Sequence, residues 1–114
     1  MTDIHKTSII SSKAEIDENV SIGPFCIIED NVSIKKGTII KPYVHIKSNT
    51  LIGENNTIYQ GSVLGEIPQD LKYKGEKTNL IIGNNNTIRE YCTLNIGTDH
   101  LEKTVLGNDC LLMA

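Results

Sequence analysis

An aliphatic residue recurs at every sixth position over most of this chain. From Ile4 to Leu112, sixteen of the nineteen six-residue slots hold isoleucine or leucine, and the exceptions are Asp70, Glu76 and His100. This period fits neither an α-helix, which repeats every 3.6 residues or so, nor a long amphipathic strand, which alternates. It predicts short strands joined by tight corners, winding as a three-sided prism. Each slot then points inward and stacks on the slot one coil away, at about 4.8 Å.

A second column lies four residues after each aliphatic slot. Most of its members are small or β-branched: Ser8, Ala14, Val20, Cys26, Val32, Thr38, Val44, Thr50, Asn56, Ser62, Asn86, Cys92 and Cys110. We expect them to fill the crowded corners. Glycine often follows the slot, and asparagine is frequent nearby; both enter positive φ cheaply, which suits a corner in every hexad. The sequence therefore predicts one all-β domain over residues 1–114.

The hexad, an aliphatic residue followed by glycine or a polar residue and then by a small residue, resembles that of the hexapeptide-repeat transferases. The resemblance covers essentially the whole chain. It implies a left-handed parallel β-helix of about six coils, and the handedness comes from the family alone, since crossovers are normally right-handed.

One interruption of the ladder is more specific. The segment Gly-Glu-Ile-Pro-Gln-Asp-Leu-Lys-Tyr-Lys-Gly-Glu at 65–76 resembles the external loop of one branch, the UDP-N-acetylglucosamine acyltransferases of lipid A synthesis. Residues 22–27 and 88–98 also fit that branch. We expect an external loop around residues 66–80 that takes 18 residues, so that the ladder resumes in phase at Ile82.

The resemblance implies an enzyme that transfers a 3-hydroxyacyl chain from acyl carrier protein to the sugar of UDP-N-acetylglucosamine. It implies a homotrimer with the active site between neighbouring prisms, and no cofactor. The family's general-base histidine lies several residues beyond a Leu-Leu-Met segment, which is 111–113 here. We therefore expect an N-terminal portion, cut before that histidine and the C-terminal helical domain, with no catalytic residue of its own and no activity alone.

Four residues are candidates for substrate binding by this resemblance. Asp70 and Lys72 match loop residues that contact the nucleotide sugar, and Gln69 lies beside them. A lysine suits a diphosphate oxygen, and a carboxylate accepts hydrogen bonds from sugar hydroxyls. Asn95 stands where family members have histidine or asparagine. The alternatives are a solvated charged loop for the first three and a structural corner residue for Asn95.

The remaining reactive side chains have simpler explanations. His5 is expected to be solvated, His45 to point outward, and His100 to lie in a loop at 99–103, and no spacing predicts a metal site. The three cysteines all occupy the small column, which indicates packing rather than a disulfide framework. A net charge of −3 without a basic stretch argues against nucleic acid.

No apolar run approaches the roughly 18 residues of a membrane span, and no signal peptide opens the sequence, so a cytoplasmic protein is expected. Two other functions remain open. One is a non-catalytic, truncated β-helix, and the other is a different hexapeptide transferase that uses coenzyme A.

Overall fold

The computed structural model describes residues 2–66, 79–95 and 103–113, without the side chains of Glu66 and Lys103. All regular secondary structure in these ranges is short β-strand. In chain order the strands are β1 (Asp3–Ile4), β2 (Ile9–Ile10), β3 (Glu15–Ile16), β4 (Ser21–Ile22), β5 (Ile27–Ile28), β6 (Val32–Ile34), β7 (Ile39–Ile40), β8 (His45–Ile46), β9 (Thr50–Ile52), β10 (Thr57–Ile58), β11 (Val63–Glu66), β12 (Asn79–Ile82), β13 (Thr87–Ile88), β14 (Thr93–Asn95), β15 (Lys103–Leu106) and β16 (Leu111–Leu112).

Every third strand falls in the same sheet. Sheet A is β1-β4-β7-β10-β13-β16, sheet B is β2-β5-β8-β11-β14, and sheet C is β3-β6-β9-β12-β15, with every listed pairing parallel. Each coil thus contributes one strand to each sheet, and the described residues make five coils and begin a sixth. We call the three edges of the prism corners AB, BC and CA, after the sheets that they join.

The aliphatic slots form the core. The slots from Ile22 to Leu64, with Ile82 and Ile88, are at most 2% exposed, and register pairs each slot with its equivalent one coil away. The end coils are less covered, because each coil packs only against its neighbours. Ile10, Ile16, Leu94, Leu106 and Leu112 are therefore partly buried, and Ile4 is 40% exposed. The predicted ladder is confirmed, with frayed ends.

The small column does more than fill space, because it carries a hydrogen-bond ladder along the corners. At corner CA, Thr38 Oγ1 donates to the carbonyl of Gly53 (2.8 Å) and accepts from the amide of Asn56 (3.3 Å). The Asn56 side chain donates to Gly83 O (2.8 Å) and accepts from the amide of Asn86 (2.8 Å). Each buried side chain thus joins two coils.

Corner BC breaks this ladder at Thr50. Its hydroxyl is buried and has no hydrogen-bond partner. The reason lies one coil further on, where the amide of Leu80 donates to the carbonyl of Asn49 (2.9 Å) rather than to the hydroxyl below it. The ladder fails where the chain leaves the prism after Glu66 and returns at Asn79.

The division of labour at the corners differs from our expectation. The positive-φ turn position is occupied by asparagine at five sites, Asn19, Asn31, Asn49, Asn55 and Asn85. The glycines that follow an aliphatic slot serve mainly close approach. A Cβ at Gly53 would lie 2.5 Å from the carbonyl oxygen of Gly83 in the next coil, so positive φ does not explain that glycine.

The interruption of the ladder also differs in length from the prediction. Leu64 and Ile82 are 18 residues apart, but they lie on sheets B and C, one ordinary step along the coil. The extra chain is therefore two hexads rather than a whole coil. Leu94 and Leu106 are likewise one step apart, with one extra hexad. Both insertions are multiples of six, so the ladder keeps its phase.

We predict that Ile46→Ala lowers the free energy of unfolding by about 2–5 kcal/mol, since it opens a cavity in a narrow interior. Ile16→Ala in the first coil is the matched control and is expected to cost less, because that side chain is only partly buried. Urea unfolding followed by circular dichroism at one protein concentration measures both. Equal losses would contradict the ladder as the core.

A second pair of variants tests the corner ladder. Thr38→Val is expected to destabilise the chain by about 1–3 kcal/mol, because it leaves Gly53 O and the amide of Asn56 unpaired. Thr50→Val removes a hydroxyl that has no partner, so stability is expected to stay the same or to rise by up to about 1 kcal/mol. The same urea titration compares them, and a larger loss for Thr50→Val would refute this explanation.

Candidate functional site

Both insertions leave the prism at corner BC. The first follows β11 and ends at β12, and the second follows β14 and ends at β15. These positions belong to the fourth and fifth coils, so one insertion starts directly beside the other. The sequence candidates Gln69, Asp70 and Lys72 fall in the first insertion, which lies outside the described residues.

Asn95 lies at the root of that first insertion. In the parallel pairing of β11 with β14, Glu66 is the partner of Asn95, after a register shift between Leu64 and Glu66. Asn95 is half-buried and is the last described residue before the second insertion. The fold therefore brings Asn95, the one candidate that the structure describes, next to the segment that carries the other three.

A backbone bulge directs the chain away from the prism here. Gly65 has φ +86°, in the left-handed region that glycine enters most easily. A side chain at this position would collide with the Thr50 hydroxyl and lie 3.2 Å from the carbonyl oxygen of Lys47. Gly65 is thus required by both conformation and space, and it fixes where the first insertion begins.

A cleft of about 340 Å³ lies on sheet C beside the same corner. Amides of Asn31, Asn49 and Asn79 line it, together with two cations and apolar side chains. The Asn31 side chain donates to the Asn49 side-chain oxygen at 2.5 Å, which holds the two corner amides together. The corner thus presents hydrogen-bonding groups next to an apolar floor, an arrangement that suits a polar ligand.

A carboxylate–histidine pair on sheet B was not found from the sequence. His45 points outward, as expected, and its Nε2 lies 2.6 Å from Glu29 Oε2. The other oxygen of Glu29 accepts from the amide of Ser48 (3.3 Å) and from its hydroxyl (3.4 Å). The spacing of 16 residues, one coil less two, places the residues on adjacent rungs, and this could have revealed the pair.

The other histidines contribute nothing to this corner. His5 is exposed, and its Nδ1 contacts the hydroxyl of Thr7 at 2.9 Å. His100 lies outside the described residues. The described part of the chain contains no group of three histidine, cysteine or acidic side chains that could hold a metal ion. It also contains no helix with the length and hydropathy of a membrane span.

The cysteines pack as the small column predicts, and all three are free thiols. Cys26 and Cys92 are buried, whereas Cys110 in the last turn is half-buried. Burial raises the pKa of the Cys26 thiol, and hydrogen bonds from the backbone of Val44 and from Ser8 oppose the rise. Burial also raises the pKa of Cys92, and the charge of Glu90 adds to it. Both thiols are therefore poor nucleophiles.

Comparison with known proteins agrees with this architecture. The family model "Bacterial transferase hexapeptide (six repeats)" matches residues 31–66. An acyl-[acyl-carrier-protein]–UDP-N-acetylglucosamine O-acyltransferase of Albidiferax ferrireducens is 55% identical over 115 aligned residues, which cover 100% of this chain and 44% of that protein. The chain thus spans under half the length of such relatives.

Solved structures give the same result. The acyltransferase LpxA of Acinetobacter baumannii matches with a TM-score of 0.95 and 49% identity, over 97% of this chain and 43% of that one. LpxA of Bacteroides fragilis, titled a UDP-N-acetylglucosamine acyltransferase, matches with a TM-score of 0.95 and 45% identity, over 96% and 43%.

These matches confirm the predicted left-handed parallel β-helix of hexapeptide repeats. They also agree with the loop and coil motifs on which the resemblance was based. The chain therefore belongs to the acyl-[acyl-carrier-protein]–UDP-N-acetylglucosamine O-acyltransferase family of hexapeptide-repeat transferases, of which it corresponds to an N-terminal portion.

Proposed function

We propose that this chain is the N-terminal part of an enzyme that moves a 3-hydroxyacyl chain from acyl carrier protein to UDP-N-acetylglucosamine, the first step of lipid A biosynthesis. The observation that carries the proposal is the convergence of both insertions on corner BC, with Asn95 paired to Glu66 at their common root. Family membership over the whole chain supports the same substrates.

The proposed roles follow from the chemistry of each side chain. The Lys72 ammonium neutralises a diphosphate oxygen, and the Asp70 carboxylate accepts hydrogen bonds from sugar hydroxyls. Gln69 and Asn95 supply amides that both donate and accept. The general base and the acyl groove belong to chain beyond residues 1–114, which form a single β-helix domain. The enzyme works in the cytoplasm as a homotrimer, with acyl carrier protein as its second partner, and uses no cofactor.

We expect the 114-residue chain to bind UDP-N-acetylglucosamine without transferring an acyl group to it. Isothermal titration calorimetry measures binding, and incubation with 3-hydroxyacyl carrier protein followed by chromatography of the nucleotide sugar measures transfer. Transfer by the chain alone would contradict the assignment of the base to a later segment. Absence of any binding would contradict the proposed role of the first insertion.

Lys72→Ala is expected to weaken that binding by roughly 10- to 100-fold, the loss of one charge-assisted hydrogen bond to phosphate. Lys74→Ala removes an equal charge two residues away and serves as the control, with affinity expected to change less than about threefold. Circular dichroism of both variants checks that the fold is intact. Equal losses in the two variants would indicate general attraction by a charged loop rather than a specific role for Lys72.

A further inference from the structure

Corner AB has a chemical character that corners BC and CA lack. At this corner the positive-φ turn position holds Phe25 (φ 58°), Tyr43 (φ 61°) and Tyr91 (φ 59°). At the other two corners the same position is held mainly by asparagine, with Gly37 and Asp109. Bulky residues enter this region rarely because it is sterically unfavourable, whereas asparagine tolerates it. The chain thus accepts strained backbone three times along one edge.

The strain displays large rings to solvent. Phe25, Tyr43 and Tyr91 are 54%, 63% and 72% exposed. We call these three residues the aromatic ridge. The Tyr91 ring fills the space above Gly61, where a Cβ would collide with it, so the ridge continues over the one coil that lacks an aromatic residue. Strained and exposed aromatic residues in a row are typical of an interaction surface.

The geometry of the ridge argues against a stacked ligand. The rings of Phe25 and Tyr43 lie 5.3 Å apart with an interplanar angle of 17°, so their faces cover each other. Solvent meets ring edges and tyrosine hydroxyls. A sugar or a nucleobase stacks on ring faces, and these faces are already used. A protein surface that packs along the ridge suits ring edges better.

Charge favours contact between like surfaces. Beside the ridge, Arg89 Cζ lies 4.1 Å from the centre of the Tyr59 ring, and Arg89 Nε lies 3.0 Å from Glu90 Oε1. The guanidinium is thus matched by a carboxylate within the same coil. The chain as a whole carries −3. Two copies can bring their ridges together without opposing their acidic surfaces, whereas a strongly charged partner gains little from the ridge.

Periodicity also favours an identical partner. The ring spacing follows the coil repeat of about 4.8 Å. A second prism with a parallel axis presents rings at the same spacing, so that every contact repeats from coil to coil. A partner without this repeat would engage one or two rings only. From the ring geometry, the charge balance and the repeat, we infer that the aromatic ridge lies on the symmetry axis of the homotrimer and packs against the ridges of the other two copies.

This inference rests on the homotrimer proposed above and adds its arrangement. With corner AB on the axis, sheet B of one copy faces sheet A of the next across a wedge that opens outward. Asn95, at the end of a sheet B strand, lies in that wedge. The neighbouring copy then supplies the opposite wall of the candidate site, and the insertions at corner BC extend from its outer rim.

The main test replaces all three ridge residues by asparagine, as Phe25→Asn, Tyr43→Asn and Tyr91→Asn. Asparagine occupies this turn position at the other corners, so we expect the coils to remain at least as stable. Sedimentation equilibrium is expected to show the subunit dissociation constant rising by at least about tenfold, the effect of removing buried aromatic anchors. Leu51→Asn, which removes an exposed apolar side chain from sheet C, is the control and should leave the constant unchanged.

Disulfide trapping locates the axis directly. Tyr43→Cys places a thiol on the ridge and Asn49→Cys places one on corner BC. Only residues with Cα atoms within about 7 Å can form a disulfide. On mild oxidation, Tyr43→Cys is expected to give a covalent dimer on denaturing gels, with the third subunit free, and Asn49→Cys is expected to stay monomeric. Any other pattern overturns the inference, as does a wild-type chain that sediments as a monomer throughout.

These outcomes separate the inference from the proposed function. A trimer whose association depends on the ridge, but which fails to bind UDP-N-acetylglucosamine, contradicts the function and leaves the arrangement intact. A trimer that binds the nucleotide sugar and ignores the ridge substitutions contradicts the arrangement alone.

Discussion

The stacking of isoleucine on isoleucine from coil to coil is the contact on which the rest of this structure depends. Burial of one such side chain contributes roughly 1.5–3 kcal/mol, and the slots from Ile22 to Leu64 are almost completely buried. The interior of the prism is too narrow for other core elements, so each coil relies on the coils above and below it. Extra chain is tolerated only at a corner and only in hexads, because another length would turn the following aliphatic residues toward water. The insertions before Ile82 and Leu106 obey this rule.

The three corners use this scaffold in different ways. Corner CA is held by buried amides and a hydroxyl that link successive coils, as Asn56 does with Gly83 and Asn86. Corner BC gives up that ladder at Thr50 and releases the insertions. Corner AB exposes aromatic rings on strained backbone. A prism with one core thus separates a structural edge, an edge for the candidate site and an edge for association.

The core and the strand order follow from the sequence because period and side-chain type determine them. Ile46 and its equivalents could be placed in the interior from spacing alone. The corner ladder could not, because Asn56 and Thr38 look alike as small-column residues until the carbonyl groups of the next coil are in place. The same holds for Glu29 and His45, whose contact depends on which side chains project from adjacent rungs. Asn95 was identified by resemblance, and the fold explains its position by pairing it with Glu66. The prediction that the insertion replaces a whole coil was wrong, because spacing in hexads does not say which sheet a slot belongs to.

The proposed function depends on location, since a nucleotide-sugar site at corner BC requires that corner to respond to the ligand. The most direct measurement is a backbone amide chemical-shift map of the chain as UDP-N-acetylglucosamine is added. We expect the amides of Glu66, Asn79 and Asn95 to shift together along one saturable curve, while those of Asn19 and Asn55 on corner CA stay unchanged. Shifts confined to corner CA, or no saturable change at corner BC, would contradict the account.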